Sequence, residues 1–185
     1  KQTPTYSMRT LAFHEAIPGH HLQVALNLEN EDLTLYRRFG YGTSAFSEGW
    51  ALYSERLALE AGLAEDPYDE LGVLQSELFR AVRLVVDTGI HFKRWTREEA
   101  MAYMKDVTGM SDTEVRVEIE RYIVWPGQAC SYKVGMLKIL ELRDKAKEKL
   151  GENFDIKDFH SIVLEQGQPP LFIVEELVNG MIVKK

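Results

Sequence analysis

Residues 66–94 read DPYDELGVLQSELFRAVRLVVDTGIHFKR, and this stretch decides the fold class. Asp66 is a helix-capping residue, and Pro67 suits the first turn, where its missing N–H has no intrahelical partner to lose. A long helix is therefore predicted to reach about Arg94, with apolar Leu84, Val85, Val86 and Ile90 beside the polar series Arg83, Asp87 and His91. The flanking segments repeat the theme. Upstream, a first helix is predicted over about Ser7 to Asn30, interrupted at Pro18-Gly19. A looser segment, Phe39-Gly40-Tyr41-Gly42-Thr43, leads into a helix from Glu48 to Ala61 that stops at Gly62. Downstream, capping boxes begin at Thr96 (with Glu99) and Ser111 (with Glu114), separated by Gly109. Pro126-Gly127 restarts the chain into a helix ending near Gly151, whose last turn holds Lys145, Lys147 and Lys149. Two short helices around Gly167-Gln168-Pro169-Pro170 complete it. No strand alternation occurs, so residues 1–185 are expected to form a single all-α, multi-helical domain.

Composition limits the function. With 22 basic and 29 acidic side chains the net charge is −7, and an acidic surface repels phosphate backbones, which argues against nucleic acid as a partner. The lone Cys130 excludes an internal disulfide and a thiolate zinc cage, but not a site of His and carboxylate ligands. No apolar run approaches the roughly 20 residues of a membrane span. The opening Lys1-Gln2-Thr3-Pro4 carries no initiator Met and no signal peptide. The expectation is a trimmed or mature piece of a longer polypeptide, its compartment left open between bacterial cytoplasm and periplasm or cell envelope.

His14-Glu15-Ala16-Ile17-Pro18-Gly19-His20-His21 carries most of the chemistry. A zinc-peptidase helix usually reads H-E-x-x-H, because residues four apart share a face and both imidazoles reach one ion. The intervening Glu then activates water. Here the fourth position after His14 is Pro18, so the strict motif fails. In a regular helix His20 points about 240° around from His14, and His21 lies roughly 10 Å along the axis. Pro18 removes an N–H and crowds the preceding turn, while Gly19 frees the backbone. A bulge there that absorbs two extra residues returns His20 to the metal, which selects His14 and His20 as ligands and leaves His21 as a supporting or substrate-facing group. A kinked, solvated helix face also accounts for three histidines so close together.

An acidic third ligand is expected from a second helix. Glu48 opens an apolar segment where an unpaired carboxylate is costly, and Glu55, two turns on, is placed to orient a ligating histidine. Alternatively, Glu48 only complements the helix N-terminus. On the long helix, His91 held by Asp87 is a candidate donor to a developing oxyanion; the competing reading makes Arg83 and Asp87 an i,i+4 ion pair. Tyr132, in Pro126-Gly127-Gln128-Ala129-Cys130-Ser131-Tyr132, is the other oxyanion candidate, and Arg121 is a candidate for holding a substrate carboxylate. Structural roles fit each of these taken singly.

Four ordered segments, His14 to His20, Glu48 to Tyr53, Arg83 to His91 and Pro126 to Tyr132, resemble the motifs of the bacterial family called domain of unknown function 885. The resemblance runs over nearly the whole chain. It implies a helical fold similar to the catalytic part of thermolysin-like and angiotensin-converting-enzyme-like zinc peptidases. It also implies Zn2+ on His14, His20 and Glu48, Glu15 as general base, a peptide-like substrate, and contact with a further N-terminal helical part. The alternative function is a non-catalytic metal-binding or helical interaction module. Two other chemistries are set aside. A carboxylate di-iron bundle needs Glu-x-x-His pairs that are not present, and the residues around Cys130 depart from cysteine-protease patterns, which makes it a small buried side chain.

Overall fold

The structure, a computed structural model, describes residues 4–40 and 42–184. Tyr41, part of the looser segment read from the sequence, and the first three residues of the chain lie outside the described residues. Among the described residues the architecture is helical throughout, with no strand. A short 3-10 turn at Thr5–Ser7 precedes α1 (Met8–Glu15) and α2 (His20–Glu29). A small helix α3 (Leu35–Phe39), capped by Thr34, leads to α4 (Ser44–Glu60). Then come α5 (Pro67–His91), α6 (Arg97–Thr108), α7 (Asp112–Val124), α8 (Ser131–Leu150), α9 (Ile156–Leu164) and α10 (Leu171–Lys184).

The start signals in the sequence act as expected. Asp66 accepts hydrogen bonds from the Tyr68 and Asp69 amides, and both capping boxes close reciprocally, Thr96 with Glu99 and Ser111 with Glu114. Three boundaries differ. The long helix ends at His91, short of Arg94, because the chain reverses there: Arg94 adopts φ +60° and the Trp95 ring packs back onto Gly89. The helix carrying Glu48 begins at Ser44, which moves Glu48 into its second turn and away from the terminal amides. The first helix is two helices with a complete break over residues 16–19 rather than one helix with a bulge.

Two apolar clusters hold the molecule. One joins α4, α8, α9 and α10 around Trp50, Tyr53, Met136, Ile139 and Phe159, all at most 1% exposed. The other joins α5, α6 and α7 around Val86, Met104, Ile119 and Tyr122. The seam between α4 and α8 is unusually close: a Cβ on Gly49 falls 2.4 Å from the Gly135 Cα, and one on Gly135 falls 1.9 Å from the Ala45 carbonyl oxygen. Backbones that touch this way admit only glycine. The contact sets Glu48, next to Gly49, against the first turn of α8, which carries Tyr132.

Candidate metal centre

At the break between α1 and α2, Ala16 (φ −100°, ψ −106°) and Gly19 (ψ −134°) leave both the helical and the extended backbone, and packing holds the turn closed. Gly19 has φ −79°, which any residue adopts, yet a Cβ there lies 1.9 Å from the His14 carbonyl oxygen and 2.4 Å from that of Phe13. The chain thus folds back onto the end of α1, and only a glycine fits. The Ile17-Pro18 peptide bond is cis. The Pro18 carbonyl, freed from any helix, accepts hydrogen bonds from the Trp50 indole (2.9 Å) and the Ser54 hydroxyl (3.2 Å), both on α4. This folding back brings His20, the first residue of α2, alongside His14 near the end of α1. Their rings meet edge to face with centroids 4.9 Å apart.

Glu48 completes a trio. Its Oε2 lies 3.2 Å from His20 Nε2 and 3.6 Å from His14 Nε2, and one ligand atom from each of the three lies within 4.8 Å of the others. A tetrahedral zinc with arms of about 2.0–2.1 Å has edges of roughly 3.3–3.4 Å between ligand atoms. The two His–Glu edges bracket that value, and the three residues could hold an ion of this size. Burial pushes the Glu48 carboxyl up, but hydrogen bonds from His14 and His20, with help from the His20 charge and the Tyr132 hydroxyl, outweigh it and bring it down to about 2. Glu48 is therefore an anion across the neutral range. Burial works against a charged His14, yet its contacts with Glu48 and Glu55 prevail and raise its affinity for a proton. The site attracts positive charge.

Each histidine is held from behind. Glu55 Oε1 lies 2.6 Å from His14 Nδ1, and both side chains are almost wholly enclosed. An N–H donated from Nδ1 to that carboxylate leaves Nε2 free to face the trio's centre, the carboxylate–histidine arrangement found behind metal ligands. Ser47 Oγ stands 3.4 Å from His20 Nδ1 and serves the second histidine in the same way, more weakly. Ser47, Trp50 and Ser54 were not singled out in the sequence, although they lie on the same helix as Glu48 and Glu55.

The remaining candidates divide. Glu15 and His21 are exposed, adjoining His14 and His20 in sequence. Tyr132 stacks on His14 with ring centroids 6.0 Å apart, so it stands at the trio. Asp87 and His91 do not form the expected couple: Asp87 accepts the Gly127 amide at 3.0 Å, whereas His91 Nε2 lies 2.9 Å from the Tyr122 carbonyl oxygen. Asp87 thus ties the turn before α8 to α5, and His91 ties the last turn of α7 to it. Nor do Arg83 and Asp87 form an i,i+4 pair, because Asp87 turns to Gly127. Arg121 is engaged by Glu118 and the Gln128 side chain, each at 2.8 Å. Cys130 is half-buried rather than buried, and burial, followed by nearby Asp87, pushes its thiol up to about 11, which makes it a poor nucleophile.

The family model described as bacterial protein of unknown function (DUF885) matches residues 1–178. The chain belongs to this family. Two solved structures extend the likeness. A candidate lipoprotein from Colwellia psychrerythraea is 54% identical, with a TM-score of 0.94 over 98% of this chain and 31% of its own. A candidate lipoprotein of unknown function from Shewanella oneidensis is 32% identical, with a TM-score of 0.87 over 95% of this chain and 32% of its own. The chain thus spans about a third of the length of these relatives. No curated protein sequence matches it. Among the described residues, no helix is long and apolar enough to cross a membrane.

Proposed function

We propose that this family member carries the zinc site of a hydrolase that cleaves peptide bonds. The observation that carries the reading is the trio itself: two imidazoles and a carboxylate within 4.8 Å of one another, with Glu55 behind one of them. Zinc, when bound, supplies a Lewis acid that acidifies water and polarises an amide carbonyl. His14, His20 and Glu48 would hold it. Glu15, exposed beside His14, takes the proton of the attacking water and delivers it to the departing amine. The Tyr132 hydroxyl steadies the developing oxyanion. In this reading the chain is the C-terminal catalytic part of a longer protein, resembles the helical part of thermolysin-like peptidases, and packs against an N-terminal helical part. The description of both solved relatives as candidate lipoproteins supports a cell-envelope location for the parent protein.

The test is a Glu15→Gln variant. Equimolar zinc should remain while hydrolysis of a mixed peptide library disappears. Undiminished turnover removes Glu15 from its role. Stoichiometric zinc with no hydrolysis by the parent chain favours a metal-binding module instead.

A further inference from the structure

The wall behind the trio carries two guanidinium groups, those of Arg80 and Arg83. Arg80 and Arg83, one turn apart on α5, both lie over the Tyr132 ring, their guanidinium carbons 5.4 and 4.2 Å from its centre. Neither forms an ion pair among the described residues. Arg80 has a buried Nε with no hydrogen-bond partner, and Arg83, 2% exposed, reaches only the Gln128 amide oxygen at 3.5 Å. A shielded guanidinium without a counter-ion is costly. Glu118, the carboxylate whose ionisation feels Arg83, already accepts from Arg121 and the Tyr122 hydroxyl.

Arg80 also lines a cavity of about 480 Å³ between α1, α5 and the α6–α7 turn. Two other groups on its wall have an unpartnered oxygen: Glu55 Oε2 and Thr10 Oγ1, on side chains 1% and 3% exposed. The cavity adjoins the metal centre. Glu55 holds His14 with its other oxygen, and Tyr132 is stacked between His14 and Arg80. Those two ring contacts keep the Arg80 guanidinium carbon within roughly 11 Å of the His14 ring, about the span of three extended residues.

We propose that this cavity is the subsite for the free C-terminus of a peptide, Arg80 taking the α-carboxylate and Glu55 Oε2 the amide N–H of the last residue. The inference rests on the peptidase reading and deepens it: cleavage occurs near the C-terminal end and releases one or two residues. The chemistry selects this ligand. A bare anion answers Arg80 but faces Glu55 with like charge. A C-terminal residue instead offers an acceptor and a donor side by side, one for each sign on the wall. Arg121, the carboxylate holder expected from sequence, is already engaged, whereas Arg80 is free to bind.

The test offers the zinc-loaded chain one N-acetylated peptide as its free acid and as its C-terminal amide. A charge-assisted contact of this kind predicts a preference for the acid of roughly 10- to 100-fold in kcat/KM. Arg80→Gln should abolish that preference, mainly through KM for the acid; Arg80→Lys should restore part of it. Equal hydrolysis of the two forms, or a loss that strikes both alike, overturns the subsite and leaves the peptidase reading standing. Calorimetry on the Glu15→Gln chain supplies a readout without turnover. The acid must bind at least about 10-fold tighter than the amide, and Arg80→Gln must erase the difference. No such difference, or competition by inorganic phosphate as effective as the acid, overturns the subsite. The acid preference in binding without hydrolysis of either form by the parent chain overturns the peptidase reading alone.

Discussion

Replacing Gly19 with alanine adds one methyl group at the point where the chain turns back on α1. That methyl falls 1.9 Å from the His14 carbonyl oxygen and 2.4 Å from the Phe13 carbonyl oxygen, against 3.4 Å or more for ordinary contact. Both obstacles are backbone, so no rotamer change relieves them, and the end of α1 must move by more than an ångström relative to α2. The His–Glu edges of the trio are 3.2 and 3.6 Å, while metal–ligand distances tolerate only about 0.2 Å. Overpacking of this kind costs about 1–3 kcal/mol, which lowers the melting temperature of a domain this size by roughly 2–12 °C. Zinc affinity, read by competition with a chromophoric chelator, should fall at least about 10-fold, as it does when the support of a metal ligand is disturbed. Gly180→Ala is the matched control. Its methyl meets nothing within 4 Å at an exposed position of α10, so the helix should gain about 0.5–1 kcal/mol with zinc affinity unchanged. A Gly19→Ala chain that melts with the parent and binds zinc equally well refutes the packing account of the break.

Two further outcomes follow from other parts of the molecule. Glu55→Gln keeps the shape behind His14 but removes the charge, and zinc affinity should drop by about 10- to 100-fold with helix content intact by circular dichroism; an unchanged affinity contradicts the role given to Glu55. His160 accepts the Tyr53 hydroxyl proton at 2.8 Å while Arg143 donates to the same oxygen, and burial, aided by the Arg143 charge, pushes the imidazole down to about 4. The folded state therefore favours neutral His160: its full stability is present above about pH 6.5 and is lost as pH falls from there towards 4. After allowance for solvent screening, the loss is on the order of 1–2 kcal/mol. Urea unfolding at pH 7 and pH 4.5 should show His160→Asn with a shallower decline than the parent, and parallel declines speak against the assignment.

How much of this was legible in the sequence depends on the range of the cause. Capping at Asp66, Thr96 and Ser111 is decided within four residues, and those starts were read correctly. The trio was legible because Pro18-Gly19 spoils a regular helix locally and leaves His20 in need of another path. What was missed is nonlocal. The sequence shows glycines at 49 and 135 but gives no sign that they face one another, so the seam that sets Glu48 against Tyr132 was invisible. Four-residue spacing put Asp87 and His91 on one face of α5 without indicating that the Gly127 amide and the Tyr122 carbonyl wait there. Arg80 escaped notice because its signature is the lack of a partner, and no string of residues displays that. The one clue available was its position, one turn before Arg83 in a stretch already under suspicion.

These contacts make α4 the template of the centre. It supplies Glu48 to the trio, a partner for each histidine in Glu55 and Ser47, and two donors, Trp50 and Ser54, that pin the broken loop through the Pro18 carbonyl. Residues three, four and seven apart on a helix present themselves together, so one rigid element sets all of these distances at once. The two imidazoles, by contrast, arrive on separate short helices joined by a loop with little helical structure of its own. Geometry is imposed on them from α4, and α4 in turn is seated by its glycine contact with α8 and by the apolar cluster around Trp50 and Tyr53. The geometry of the trio therefore originates in a helix–helix seam rather than in the histidine motif. For this reason a motif that fails the usual H-E-x-x-H spacing still brings two imidazoles and a carboxylate together.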